Sequence, residues 1–188
     1  LSVCVVLFVW SALVNDPLAF LYTFFVSPLI DLYGWTELGT KAGPLLLCAM
    51  GLMLCFKAKI WNIGAEGQFI LGGLGGGYIA LELLEAEGFW VLPTVLFFGA
   101  VCGMAWAGLA ALLKTKFNAN EILTTIMLNY IALNWLLYGV NGPLKDPQGF
   151  NFPESAIFSE AATLPVLFDD YRLNISIFFA LFAMAAIW

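Results

Sequence analysis

Polar residues gather at the start of one apolar segment of the chain. The run Asn62–Gln68 (Asn-Ile-Gly-Ala-Glu-Gly-Gln) combines a carboxylate, two amides and two glycines. Polar side chains at membrane depth are costly, and they usually face a bundle interior or a wet pathway. The glycines permit a broken helix start, of the kind that lines transporter binding sites. These residue types indicate solute passage rather than covalent chemistry, with Asn62, Glu66 and Gln68 as candidate pathway residues.

Glu66 also has a structural interpretation. The nearby Lys57 and Lys59 place this carboxylate within two turns of a membrane interface. An acidic residue in the first turn of a helix interacts favourably with the helix dipole. Both interpretations of Glu66 stay open from the sequence alone.

A second polar group, Asn118–Glu121, precedes a later apolar segment. Asn120 is suited to cap a helix there, and Glu121 to lie in its first turn. Asn129 and Asn134 lie deeper in the same segment, where an amide needs a partner on another helix, water or a solute. They are further candidate pathway residues, and hydrogen bonding between helices is the alternative.

Other kinds of chemistry have little support in the sequence. The 4 cysteines lie in apolar runs without CxxC spacing, and the chain has no histidine to complete a metal site. The glycines of Gly72–Gly77 match neither GxGxxG nor a Walker A sequence, and no serine lies in a GxSxG context. The net charge of -6 without a basic patch argues against nucleic acid as a partner. We expect no catalytic residue, metal or cofactor on this chain.

The composition shows what must position the polar groups. Hydrophobic residues make up 62% of the chain and charged residues 11%, a balance typical of lipid-embedded proteins. The sequence predicts an all-α, polytopic transmembrane helix bundle. We expect residues 1–188 to be a single transmembrane domain, a fragment of a longer chain whose first and last segments are truncated. The six predicted segments are Leu1–Val14, Thr40–Phe56, Ile60–Leu84, Phe89–Leu113, Ile122–Val140 and Asn174–Trp188.

Lysine positions predict the orientation of these segments. Two of the connections carry paired lysines, and loops rich in lysine and arginine are usually cytoplasmic. Alternation then places residues 15–39 and 141–173 outside the membrane as extracytoplasmic loops. Within the first of them, the aromatic stretch Pro17–Ile30 is too short to span, so we expect it to be interfacial or re-entrant. The paired lysines are Lys57 with Lys59 and Lys114 with Lys116.

Small residues recur at every fourth position in two predicted segments. Each series forms a groove along one helix face, and such grooves let helix backbones approach closely in a bilayer. We therefore predict helix packing at these positions. The series are Gly72, Gly76 and Ala80, and Gly99, Gly103, Ala107 and Ala111.

Three ordered motifs resemble one family. Asn62–Gln68, then Asn120–Tyr130, then Gly142–Pro147 are similar in order and spacing to the permeases of the nucleoside and simple-sugar branch of bacterial ABC importers, relatives of the ribose permease. The resemblance covers about Lys41 to Phe158. The residues that carry it, besides the pathway candidates, are Gly64, Gly67, Asn120, Glu121, Tyr130, Gly142 and Pro143.

The resemblance implies a transport subunit rather than an enzyme. Such a permease lies in the bacterial cytoplasmic (inner) membrane and moves nucleosides or simple sugars by alternating access. It would pair with a second permease subunit, receive solute from an extracytoplasmic substrate-binding protein and be driven by cytoplasmic ATPase subunits that hold ATP and magnesium. The alternative is a secondary transporter or channel with Glu66 and Glu121 as ion or proton sites.

Overall fold

The computed structural model describes residues 8–10, 17–149, 152–168 and 170–187. In these ranges, helices are joined by turns and irregular segments, with one isolated antiparallel bridge, and this confirms the predicted all-α class. Most of the first predicted segment, Leu1–Val14, lies outside the described residues. The helices are α1 (Pro17–Phe25), α2 (Ser27–Ile30), α3 (Leu32–Lys57), α4 (Ala65–Glu82), α5 (Val91–Phe117), α6 (Glu121–Asn141), a short 3-10 helix (Glu160–Ala162) and α7 (Ser176–Ile187).

The chain divides into two compact units, and α3 contributes to both. The first unit contains residues up to Leu46 together with Pro165–Phe182. Within it, the Leu167 N–H donates to the Leu173 carbonyl at 2.8 Å, beside the bridge that pairs Val166 with Asn174. The Asn174 side chain then accepts hydrogen bonds from the backbone and hydroxyl of Ser176, where α7 begins.

Helix α3 is longer than the hydropathy pattern predicted. It runs for 26 residues from Leu32, whereas the hydropathy pattern predicts a start near Thr40. Glu37 and Lys41 lowered the hydropathy of the first turns, but charged residues near a helix end are compatible with helical backbone. Leu32 to Gly39, part of the stretch predicted as loop, are therefore helical, and the side of the membrane that they occupy stays a prediction.

The second unit contains Leu47–Leu164 and Ala183–Trp188, and its centre is helix α4. This helix packs against both α5 and α6. Among the described helices, α3, α5 and α6 are long and apolar enough to cross a membrane by length and composition. The glycine-rich α4, with 18 residues, is not in that set.

The glycines of the two series lie at the contact between α4 and α5. A Cβ atom on Gly72 would lie 3.2 Å from the Gly99 carbonyl oxygen, and one on Gly99 would lie 3.1 Å from the Gly72 carbonyl oxygen. Gly76 similarly faces Val95 and Gly99, and Gly103 faces the backbone of Gln68. Glycine is needed because the neighbouring atoms belong to backbone, which cannot move aside without separating the helices.

The segment after α6 packs against the ends of α4 and α5. Ala162, in the short 3-10 helix, is buried in a cluster with Ala80 and Val91. Prolines and glycines make this segment turn-rich, a composition that predicts an ordered cap or a docking surface rather than a helix. Packing of the 3-10 helix against the ends of α4 and α5 fits the ordered cap.

Candidate functional site

The chain is unwound immediately before α4. The predicted third segment began at Ile60, but the helix begins at Ala65, and residues 58–64 are irregular with Lys59 at φ 60°. The N-cap residue, Gly64, has no side chain with which to cap the helix. Backbone N–H groups in this stretch and in the first turn of α4 therefore need partners from elsewhere.

Helix α6 supplies those partners from three side chains on one face. Glu121, Thr125 and Asn129 are spaced four residues apart, so they lie one above another along the helix. The Glu121 carboxylate accepts from the Trp61 N–H at 3.1 Å, the Thr125 hydroxyl from the Ile63 N–H at 3.2 Å, and the Asn129 side-chain oxygen from the Gly67 N–H at 2.9 Å. We call these three residues the α6 ladder. It holds the unwound chain and caps α4 from outside.

Asn129 makes a second bond to the same stretch, because its Nδ2 donates to the Ile63 carbonyl at 3.0 Å. Both ends of this amide are therefore engaged by backbone. The partner, Gly67, is buried, and a Cβ there would lie 2.7 Å from Asn129 Oδ1. A side chain at position 67 would push the two helices apart, which explains the glycine in the motif.

The start of α6 is fixed by its own cap. Asn118 ends α5 in the left-handed conformation, and the Asn120 side chain accepts from the N–H groups of Ile122 and Leu123 at 3.0 and 3.3 Å. The predicted helix cap at Asn120 is confirmed. Lys114 Nζ lies 3.8 Å from Glu121 Oε2, so the last turn of α5 also contacts the α6 ladder.

A pair of side-chain amides lies beside the α6 ladder. Asn62 Oδ1 accepts from the Gly64 N–H at 2.8 Å, which fixes this side chain against its own backbone. Asn62 and Gln68 then exchange two longer hydrogen bonds, of 3.4 and 3.3 Å. We call Asn62 and Gln68 the amide pair.

The amide pair borders two cavities. The lysine cavity, of about 450 Å³, opens among the ends of α3 and α5 and the start of α6. The α3 cavity, of about 390 Å³, lies along α3 and α4 and is lined mostly by apolar side chains. Both are lined by Cys55, Asn62, Gln68 and Ala107. The polar lining of the lysine cavity comes from Lys59, Asn62, Gln68, Lys114, Thr115, Glu121 and Thr125.

Residues 35–188 match the family described as branched-chain amino acid transport system, permease component. The chain belongs to this family. The family and the three long apolar helices identify it as a membrane protein.

Three curated relatives refine the comparison. The chain is 41% identical over 157 residues to the glucose ABC transporter permease protein TsgB13 of Haloferax volcanii, covering 83% of this chain and 40% of that protein. It is 30% identical over 163 residues to the guanosine ABC transporter permease protein NupP of Bacillus subtilis, covering 84% and 45%. It is 26% identical over 167 residues to the nucleoside ABC transporter permease protein NupB of Lactococcus lactis, covering 85% and 46%. The chain thus spans less than half the length of these relatives, and no solved structure matches it.

The structure separates the predicted pathway residues of this family member. Asn62 and Gln68 line both cavities, and Asn129 is bonded to the backbone of Ile63 in the unwound chain and of Gly67 in α4. Glu66 is exposed in the first turn of α4. Asn134 is exposed and donates to the Tyr130 carbonyl of its own helix at 2.7 Å. The amide pair and Asn129 are thus brought together, whereas Glu66 and Asn134 point elsewhere.

The third family motif forms a turn after α6. The Gly142 N–H donates to the Gly139 carbonyl, and the Lys145 N–H donates to the Gly142 carbonyl, both at 3.2 Å. The Asp146 N–H reaches the Glu154 carbonyl at 2.9 Å. Pro143, within this turn, has no N–H that needs a partner.

Some residues of the site were not singled out from the sequence. Lys59, Lys114 and Cys55 line the lysine cavity, although in the sequence the lysines indicate only the orientation of the segments. Trp106, on α5, has its indole nitrogen buried without a hydrogen-bond partner in the described part of the chain, 3.2 Å from where a Gly67 Cβ would be. The four-residue spacing in the α6 ladder was the sequence signal that would have linked Glu121 and Thr125 to Asn129.

Proposed function

We propose that the full-length protein is the permease subunit of an ATP-driven importer of simple sugars or nucleosides. The observation that carries this proposal is the position of the amide pair, which lines both cavities. The 41% identity to a glucose permease supports it. Amides offer both donors and acceptors without a fixed charge. That combination suits neutral solutes rich in hydroxyl groups.

The family's description names branched-chain amino acids, but the site favours a neutral solute. An amino acid carries an ammonium and a carboxylate, and both charges need fixed partners in a buried site. Lys59 and Lys114 in the lysine cavity can partner a carboxylate. However, Glu121, the one acidic residue among the described residues that line the two cavities, is already engaged by the Trp61 N–H and Lys114, which leaves the ammonium without a partner. The uncharged amide pair is the polar group that the two cavities share.

Alternating access gives the α4–α5 seam and the α6 ladder separate roles. Backbone contact at Gly72 and Gly99 lets α4 and α5 shift against each other without moving bulky side chains. The α6 ladder holds the unwound chain to α6 during such a shift. The amide pair, at the hinge between the unwound chain and α4, then meets the solute.

The proposal includes partners that this chain does not contain. A second permease subunit would complete the pathway, an extracytoplasmic substrate-binding protein would deliver the solute, and cytoplasmic ATPase subunits would hold ATP and magnesium. The turn at Gly142–Asp146 is the proposed contact for the binding protein. The complex would lie in the cytoplasmic membrane, with the lysine cavity on the cytoplasmic side.

The energy source of uptake, ATP or an ion gradient, distinguishes the proposed importer from a secondary transporter or channel. The full-length permease with its partners is reconstituted in vesicles, and uptake of radiolabelled glucose and guanosine is measured with ATP and with an imposed ion gradient. We expect uptake of one of these solutes with ATP alone, abolished by a hydrolysis-deficient ATPase. Uptake that follows the ion gradient and ignores ATP would contradict the proposal.

A further inference from the structure

The lysine cavity and the α3 cavity adjoin, and they share four lining residues: Cys55, Ala107 and the amide pair. Cys55 and Ala107 are small, whereas the amides bridge the space with two hydrogen bonds. We propose that the Asn62–Gln68 pair is a gate between the lysine cavity and the α3 cavity. This inference rests on the proposed transport function and adds the element that closes the pathway.

The two amides of the pair are held with unequal strength, which suits a gate. Asn62 is held by the Gly64 N–H at 2.8 Å, within the ordinary range for N–H···O bonds. The two bonds between Asn62 and Gln68, at 3.4 and 3.3 Å, exceed that range and are weaker. Asn62 is therefore the fixed side of the gate, and the longer Gln68 side chain is the moving side.

The chemistry of the pair selects what opens it. A hydroxyl group donates and accepts, so it can replace either amide of the pair without leaving a polar atom unpaired. An inorganic cation would satisfy only the amide oxygens, and an anion only the amide N–H groups. The gate therefore opens for neutral, polyhydroxylated solutes and stays closed to simple ions.

Two native cysteines on α3 report on the gate. Cys48 lines only the α3 cavity, whereas Cys55 lines both cavities. Seven residues apart, they lie on one face of α3. Charged thiol reagents need water to reach a thiolate. With the gate closed, reagent entering from the lysine cavity reaches Cys55 but not Cys48.

The test compares thiol labelling in single-cysteine versions of the full-length permease, assembled with its partners in membrane vesicles of both orientations. A membrane-impermeant methanethiosulfonate reagent is added without ATP or solute. We expect Gln68→Ala to speed Cys48 labelling by about tenfold, equivalent to about 1.4 kcal/mol. Labelling of Cys55 stays unchanged. Gln68→Asn, which keeps the amide but shortens its reach, also speeds Cys48 labelling.

Two results would overturn the gate. One is wild-type Cys48 that labels as fast as Cys55, and the other is a Cys48 rate that Gln68→Ala and Gln68→Asn both leave unchanged. Thermal unfolding of each variant identifies loss of fold, and Asn141→Ala is the control because this amide donates to the Leu137 carbonyl of its own helix. Since labelling needs neither ATP nor solute, failure of the gate is distinguished from failure of the proposed transport function.

Discussion

Asn129, a residue of α6, caps the neighbouring helix α4, because its side-chain oxygen accepts a hydrogen bond from the Gly67 N–H at 2.9 Å. A helix usually receives such a bond from its own N-cap residue. Here the N-cap is Gly64, which has no side chain, and the capping bond to the Gly67 N–H comes from Asn129 of the α6 ladder. The polar residues of two separate sequence motifs therefore form one structure.

Replacing Asn129 tests this capping directly. Asn129→Leu is similar in size but leaves the Gly67 N–H and the Ile63 carbonyl without partners. An unsatisfied buried group costs about 1–3 kcal/mol, so we expect a clearly lower midpoint of thermal unfolding for the purified full-length protein. Asn134→Leu is the control, since that exposed amide bonds only to its own helix, at the Tyr130 carbonyl. Equal loss of stability in both variants would contradict cross-helix capping.

Gly67 tests the close approach of α4 to α6. In Gly67→Ala, the new methyl would lie 2.7 Å from Asn129 Oδ1 and 3.0 Å from Asn129 Cα, which forces the helices apart. Overpacking of this kind costs about 1–3 kcal/mol. Gly73→Ala, on the same helix, has nothing within 4 Å and gains helix propensity. Denaturation of both variants in detergent should show destabilisation at position 67 alone, and a stable Gly67→Ala protein would refute the contact.

Two glycines of α5 test the close packing of α4 against α5 in the same way. Gly99→Ala would place a methyl 3.1 Å from the Gly72 carbonyl oxygen, whereas Gly108→Ala meets nothing within 4 Å. We expect the first change to lower the unfolding midpoint and the ATP-driven uptake rate, and the second to leave both unchanged. If Gly99→Ala keeps full stability and uptake, close backbone packing is not required at this seam.

Two substitutions of Glu121 distinguish its role as a hydrogen-bond acceptor from its role as a charged group. Glu121→Gln keeps an oxygen for the Trp61 N–H but removes the charge that faces Lys114. Because both side chains are partly exposed, the lost ion pair costs at most about 1 kcal/mol. We expect Glu121→Gln to retain uptake and Glu121→Ala, which loses both contacts, to be less stable. Abolished uptake in Glu121→Gln at wild-type stability would instead favour the ion-coupled alternative.

The sequence predicted the elements of this site better than their connections. Hydropathy located α5 and α6 to within a few residues, because long apolar runs with lysines or a polar cap at their ends mark helix boundaries well. It misplaced the starts of α3 and α4. Charged residues in α3 lowered its hydropathy, and the unwound chain before α4 keeps apolar residues such as Ile60 and Ile63 although it is not helical.

Polar residue type alone did not show which side chains face the cavities. Asn62, Asn129 and Asn134 all interrupt apolar sequence, yet the first lines cavities, the second binds backbone and the third is exposed. These differences depend on how α4 and α6 are rotated against each other, which hydropathy does not encode. The four-residue spacing along α6 predicts that its ladder shares one face, but not that its partners are backbone N–H groups.

The measurement that tests the central claim most directly is ATP-driven uptake by Gln68→Leu, in the full-length permease assembled with its partners. Leucine fills a similar volume but offers the solute no hydrogen bond. At matched expression and unfolding midpoint, we expect uptake of glucose or guanosine to fall by about tenfold, as for loss of about 1.4 kcal/mol, with Asn141→Ala at the wild-type rate. Unchanged uptake in Gln68→Leu would contradict the claim that the amide pair borders the route of the solute.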